Sequence, residues 1–217
     1  MVFDAVGTVI KPVPGVLEIY HETGRQYGSQ LSLDSIADRF REGRTDFFRR
    51  NSDFKSSDEI ERELWRRLVT FVFEDLSNTA DLFEELWSRF ASPQSWSVFD
   101  DVNACLSALD SVGATVAVGS NFDSRLLAIC DEIFGSETFD FVFCSSLVGY
   151  RKPAKQFYEH IELRYPNKHI VMVGDDEEND VRGPKSLGWE SLLIDRKNQS
   201  GDSISSLVQL PAKIAER

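Results

Sequence analysis

Cysteine is scarce in this chain, with three residues, Cys105, Cys130 and Cys144, among 217. They are far apart, odd in number and free of any CxxC or Cys/His spacing, which argues against a disulfide framework or a thiolate zinc site. A reducing, intracellular setting is the default expectation, and the cytoplasm its simplest form. Histidine is equally rare: His21, His160 and His169 stand alone, without metal-ligand spacing. Long apolar runs are missing too. No stretch approaches the roughly 20 residues that cross a bilayer, and the N-terminus shows no basic region leading into a signal-type apolar run. No membrane partner is expected. Positive charge is in the minority, with 24 Lys and Arg against 36 Asp and Glu and a net charge of −12. A nucleic-acid backbone needs clustered cations, so nucleic acid is not an expected partner either. An acidic protein that handles anions must concentrate positive charge at one place.

What is present is a globular composition, 41% hydrophobic and 28% charged, suited to one domain with an insertion or to two small domains. After MVFDAVGT, residues 14–91 carry apolar side chains at three- and four-residue intervals in GVLEIYHETGRQYG, LDSIADRFREGRTDFFRR, SDEIERELWRRLVTFVFEDL and ADLFEELWSRF. This is helical periodicity, and Ser32, Ser57 and Asn78 stand where helix caps belong. From Val98 the pattern alternates: helix DDVNACLSALDSVG, strand ATVAVGS, helix SRLLAICDEIF, strand FDFVFCSS, helix AKQFYEHIELRY, strand HIVMVGD, helix NDVRGPKSLG, strand ESLLID. TVAV and IVMV are apolar on both faces, as in parallel strands covered by helices. The expected fold is therefore a doubly wound α/β core of parallel strands, residues 1–13 and 92–217, whose first strand is residues 1–4 and whose helical insertion is 14–91. The tail from Lys197 to Arg217 is polar and weakly patterned.

In such sheets ligands bind beyond the carboxyl ends of the strands. Here those ends carry Asp4 after MVF, Ser120 and Asn121 after TVAVG, and Asp175 with Asp176 after IVMVG, while Lys152 follows FDFVFCSS by a short loop. Two carboxylates, a hydroxyl and an ammonium suit phosphoryl transfer to an Asp nucleophile, with a second Asp for Mg²⁺ and the hydroxyl and Lys on the phosphoryl oxygens. Mg²⁺ prefers oxygen ligands and keeps several waters, so few protein carboxylates suffice.

VFDAVGT, VGSN, Lys152 with Pro153, and GDDEEND occur in that order, and together they resemble the four motifs of the haloacid dehalogenase (HAD) superfamily of hydrolases. SNFDSRL, FDFVF and YRKP further resemble its haloacid dehalogenase-like hydrolase domain-containing protein 3 subgroup. The resemblance implies Asp4 as nucleophile, Ser120 and Lys152 as catalytic partners, and Asp4, Asp175, Asp180 and the Val6 carbonyl as ligands of Mg²⁺. It makes Asn121 and Thr8 candidates for contacting a small phosphorylated substrate, and residues 14–91 a C1-type cap. The chain itself is expected to be a monomer or a homodimer.

One position departs from the family pattern. Phosphatase members carry a second Asp two residues after the nucleophile, which protonates the leaving alcohol and then activates water; Val6 can do neither. That step is worth about 10² to 10⁴ in rate. Val6 therefore keeps two alternatives open: a 2-haloacid dehalogenase-like hydrolase, or a catalytically weak module that binds phosphorylated ligands. Several residues also have ordinary structural readings. Ser120 could cap a helix, Asn121 could orient its loop, Lys152 could be a solvated surface lysine, and Asp176, Glu177 and Glu178 could complement a helix dipole. Trp65, Phe71, Phe73, Phe83, Trp87 and Phe90 read as the core of the insertion rather than a ligand box, and Arg49, Arg50, Arg66 and Arg67 as a solvated face or, if an anionic substrate enters beneath the insertion, as its contacts. Only three residues precede Asp4, whereas strands run to five or six; either the natural chain begins upstream or the first strand is short.

Overall fold

The computed structural model describes residues 1–49, 53–197 and 203–215. From the N-terminus, β1 (Val2–Phe3) turns into β2 (Ile10–Pro12), and four helices follow: α1 (Val16–Gln26), α2 (Leu33–Arg44), α3 (Asp58–Val72) and α4 (Ala80–Ala91). β3 (Trp96–Val98) then returns antiparallel to β2, pairing Ile10 with Val98. Alternation begins there, through α5 (Val102–Ser111), β4 (Ala117–Ser120), α6 (Arg125–Phe134), β5 (Phe141–Cys144), the short α7 (Ser145–Val148), α8 (Lys155–Arg164) and β6 (Val171–Gly174). A π-helical turn, Glu177–Arg182, runs into α9 (Gly183–Lys185), and β7 (Glu190–Leu193) and α10 (Leu210–Ala215) close the chain.

The strands β5-β4-β1-β6-β7 form one parallel sheet in that spatial order. Phe3, Val118 and Val173 are in register and pack on α5 and α6 through Cys105, Leu109, Leu126 and Ile129. Val2, Ala117 and Met172, one residue earlier, point to the other face and meet Phe157, Tyr158 and Ile161 of α8. Both pleat faces are thus buried, which is why these strands are apolar without alternation. The three cysteines are free and buried within this core. None of the described helices is long and apolar enough to cross a membrane.

Helices α1–α4 have a hydrophobic cluster of their own, centred on Ile19, Tyr20, Leu68, Val72, Phe73 and Phe83. Ser32 and Ser57 cap α2 and α3 by accepting from the Ser35 and Ile60 N–H groups. The cap of α4 falls on Thr79 rather than Asn78, whose Oδ1 accepts from the Ala80 N–H at 2.9 Å. The tail is more ordered than its composition suggests: Ile204, Leu207 and Leu210 are buried in the core beside α5. Its polar residues flank three well-spaced apolar ones, too few for a periodic signal. The first strand is two residues long, with Asp4 just beyond it.

Candidate active site

β1, β4 and β6 lie side by side, so the residues that follow them meet at one edge of the sheet. Asp4 extends β1, its N–H donating to the Val173 carbonyl at 2.8 Å. Ser120 ends β4, buried, with a hydroxyl that makes no hydrogen bond among the described residues. The helix after it starts only at Arg125, so Ser120 is not a helix cap. Lys152 arrives on the loop after α7 and is held from β4. The Lys152 N–H donates to Asn121 Oδ1 at 2.7 Å, and Asn121 Nδ2 donates to the Lys152 carbonyl at 3.0 Å. These two bonds make Asn121 a positioner of Lys152, and it also borders the cavity beneath α1–α4, with a second amide N–H left over.

Lys152 is 3% exposed, far from a solvated surface lysine. Its Nζ donates to Asp4 Oδ1 at 2.7 Å, Asp180 Oδ1 at 2.6 Å and the Gly119 carbonyl at 2.8 Å, which uses all three protons. Burial alone would lower its pKa, but the Asp180 and Asp4 carboxylates outweigh that and hold it above the ordinary lysine value. Asp180, from the π-helical turn, also accepts the Asp176 N–H at 3.1 Å. Asp176 caps that turn by accepting from the Glu178 and Asn179 N–H groups, as its position after β6 suggested.

Asp4, Asp175 and Asp180 each offer a carboxylate oxygen, all within 4.8 Å of one another. Asp175 accepts no hydrogen bond among the described residues. Asp175 is exposed to the cavity, yet its withdrawal from bulk water, then the neighbouring Asp4 and Asp180 charges, push it up to about 7 against a smaller opposing effect of Lys152. Burial likewise pushes Asp180 up to about 6, with Lys152 opposing and Asp4 adding. Crowded, under-neutralised oxygens with one carboxylate unengaged are a donor set that suits a hard divalent cation. Gly7 makes room for it: its φ is 92°, and a Cβ there would run into the Asp175 carboxylate. That turn sends Thr8 away from the cluster. Thr8 is fully buried, does not line the cavity, and has an unpartnered hydroxyl, so it is not brought to the place where substrate would lie.

Between this cluster and α1–α4 lies a cavity of about 910 Å³. Asp4, Val6, Ser120, Lys152, Asp175 and Asp180 line its sheet side. Trp65, Phe83, Trp87 and Phe90, expected as core alone, also border it, because the inner faces of α3 and α4 close over the sheet edge. Phe71 and Phe73 do not. Arg66 and Arg67 pack over Phe83 and Phe47 and stay away from it, Arg50 is outside the described residues, and the side chain of Arg49 is not described. His21, His160 and His169 do not border it.

Two ion pairs that the four motifs do not include stand on its wall, one buried and one half-buried. Arg151 lies with its Nε 3.0 Å from Glu61 Oε1, a close contact misaligned for a hydrogen bond, and its Nη2 donates to Glu61 Oε2 at 3.3 Å. Burial raises the Glu61 pKa, which Arg151 and the Ser56 hydroxyl partly offset. Arg125 donates to both Asp123 oxygens at 2.7 Å and to the Trp87 carbonyl at 2.8 Å. A signal for Glu61 was available: it stands on the apolar stripe of α3 with Leu64, Leu68 and Val72.

The haloacid dehalogenase-like hydrolase family model matches residues 1–188. The chain belongs to this family. Within it, haloacid dehalogenase-like hydrolase domain-containing protein 3 of Bos taurus is 32% identical over 137 residues, 60% of this chain and 55% of that protein. A ribulose-1,5-bisphosphate 5-phosphatase of Halopiger xanaduensis is 25% identical over 185 residues, 82% of this chain and 76% of that one. Among solved structures, L-2-haloacid dehalogenase from Xanthobacter autotrophicus with covalently bound chloropropionic acid superposes with a TM-score of 0.76 at 17% identity, covering 99% and 97% of the two chains. That likeness is one of fold.

Proposed function

We propose that this HAD-like hydrolase is a Mg²⁺-dependent phosphatase of small phosphomonoesters, working through an aspartyl-phosphate on Asp4 beneath a cap formed by α1–α4. The observation that carries the reading is the Lys152 ammonium joining Asp4 to Asp180 at the floor of the cavity, beside the unengaged Asp175. A carboxylate oxygen of Asp4 attacks phosphorus, the ester P–O bond breaks, and the leaving oxygen takes the electron pair. As the Asp4 oxygen turns to phosphorus, the Lys152 hydrogen bond it accepted passes to a phosphoryl oxygen, and the Ser120 hydroxyl donates to another as negative charge builds on them. Water then attacks phosphorus, inorganic phosphate leaves, and the Asp4 carboxylate is restored. Asp4, Asp175 and the Val6 carbonyl would hold Mg²⁺, with Asp180 adding charge through oxygens already engaged by Lys152 and the Asp176 N–H. When bound, the cation supplies Lewis-acid neutralisation of phosphoryl charge. The phosphatase relative supports this choice of chemistry.

A panel of small phosphomonoesters with Mg²⁺ tests it, comparing the protein with Asp4→Asn. Chelator-sensitive phosphate release that Asp4→Asn abolishes is expected; release that survives in the variant would remove Asp4 from the nucleophile role. Dehalogenation is the second reading, favoured by Val6 alone. It predicts halide release from 2-haloacids without metal, and the crowded carboxylates weigh against it because a metal-free reaction gives them no counter-charge beyond Lys152.

A further inference from the structure

The cavity has a wall of rings. Phe48, Trp65, Trp87, Phe90 and Trp96 border it, with the Phe48 and Trp65 centroids 4.9 Å apart. A pocket of this volume and character takes a drug-sized planar group. Its cations are already occupied. Arg125 gives its donors to Asp123 and the Trp87 carbonyl, Arg151 is paired with Glu61, Lys152 serves Asp4 and Asp180, and Arg44 is engaged by its surroundings. Arg125, Arg151 and Lys152 thus already face carboxylates, which leaves the wall of rings as the better-matched surface for an uncharged group. Val6 is a third, independent observation: it borders the cavity on the Asp4 turn, where it has no proton to give a departing oxygen.

A wall of rings, cations already faced by carboxylates and no proton donor at position 6 select the same chemistry. We infer that the substrate is an aryl phosphate, a monoester of a phenolic hydroxyl on a small, planar, uncharged group; this rests on the phosphatase reading above. When the P–O bond breaks, the electron pair leaves on a phenolate, stable enough to depart unprotonated and to take its proton later from water. An alkoxide from a sugar or aliphatic alcohol is far more basic and would need the missing acid, at a cost of about 10² or more in rate.

The test measures kcat/KM at saturating Mg²⁺ for 2-naphthyl, phenyl and cyclohexyl phosphate, acetyl phosphate, ribulose-1,5-bisphosphate and a phosphotyrosyl peptide. Naphthyl and phenyl phosphate should exceed cyclohexyl phosphate, a ring of similar size with a poor leaving group, by about 10²-fold, and Val6→Asp should narrow that gap. Trp65→Leu should lower the naphthyl-to-acetyl ratio by about three- to tenfold, the range of one lost ring contact; if that variant melts early, Trp65→Phe should lower it less. Preference for the bisphosphate or for cyclohexyl phosphate, a peptide better than naphthyl phosphate, or a ratio indifferent to Trp65 would overturn the inference while leaving an Asp4-dependent phosphatase. Absence of Asp4-dependent release from every compound, acetyl phosphate included, would take the phosphatase reading down with it.

Discussion

The Lys152 ammonium donates to the Asp4 carboxylate at 2.7 Å, joining residues 148 positions apart in the chain. Together with Asp180 at 2.6 Å, it makes one buried cation the counter-charge of two carboxylates. Lys152→Met should lower kcat by about 10² to 10³, the effect of losing one donor to transition-state oxygens. It should also destabilise the fold by about 3 kcal/mol, since it leaves buried charge unpaired. Steady-state rates and urea melts read the two effects separately, and unchanged values of both would mean that the ammonium is not at the centre of the site.

The carboxylate cluster carries a pH signature. Asp180, buried, and Asp175, open to the cavity but withdrawn from bulk water, are pushed by that desolvation first and by neighbouring negative charge from the usual 3.8 up to about 6 and about 7. The metal-free folded protein therefore holds more protons than the unfolded chain in this range. The stability these two groups contribute is present below pH 3.8 and is lost as pH rises through 6 and 7. Divalent cation supplies positive charge in place of the protons, so the rise in Tm on adding Mg²⁺ should be large at pH 8 and small at pH 5. A rise that is the same at both, in thermal melts, would assign the metal elsewhere.

Gly7 has φ of 92° and faces the Asp175 carboxylate. Gly7→Ala should cost about 1–2 kcal/mol in backbone strain. The added methyl displaces Asp175, so Mg²⁺ affinity should fall at least about tenfold, the equivalent of 1.4 kcal/mol. Titration calorimetry on the folded variant checks this; wild-type affinity would separate Asp175 from metal binding.

Glu61 on α3 holds Arg151, the residue beside Lys152, at 3.0 Å in a buried pair. Glu61→Gln keeps the shape and strands the guanidinium, which should cost about 3 kcal/mol, while Glu61→Gln with Arg151→Met should recover much of that loss. Denaturant melts of the three proteins decide; equal stabilities would make the pair a surface-like contact.

Val6 bears on both chemical steps. A phenolate leaves without help, but attack of water on the aspartyl-phosphate has no base at position 6. Stopped-flow mixing with 4-nitrophenyl phosphate should therefore show a burst of phenolate of about one per site, followed by slow turnover. Val6→Asp should speed the slow phase by up to about 10²-fold and shrink the burst. A folded, Mg²⁺-binding variant with an unchanged slow phase would place the base on another residue.

Much of this was readable from local chemistry. Short apolar runs without alternation and period-3.6 patterns located the strands and helices, because burial on both faces of a parallel sheet leaves TVAV and IVMV without polar positions. Polar residues at strand ends marked Asp4, Ser120 and Asp175, since an α/β fold brings strand ends to one edge whatever the loops do. The roles of Thr8 and Asn121 were not readable, because they depend on which way a side chain turns after Gly7 and on a partner 31 residues away, Lys152. Glu61 is marked by its place on the apolar stripe of α3, but Arg125 and Arg151 look like ordinary surface charges in a string of letters. Only packing α3 and α4 over the sheet edge sets Glu61 against Arg151, lays Arg125 over Trp87 and turns Trp65 and Trp87 toward the cavity. Sequence periodicity decides which face of an element is apolar; which apolar face becomes core and which becomes a wall is decided by what the folded chain places opposite it.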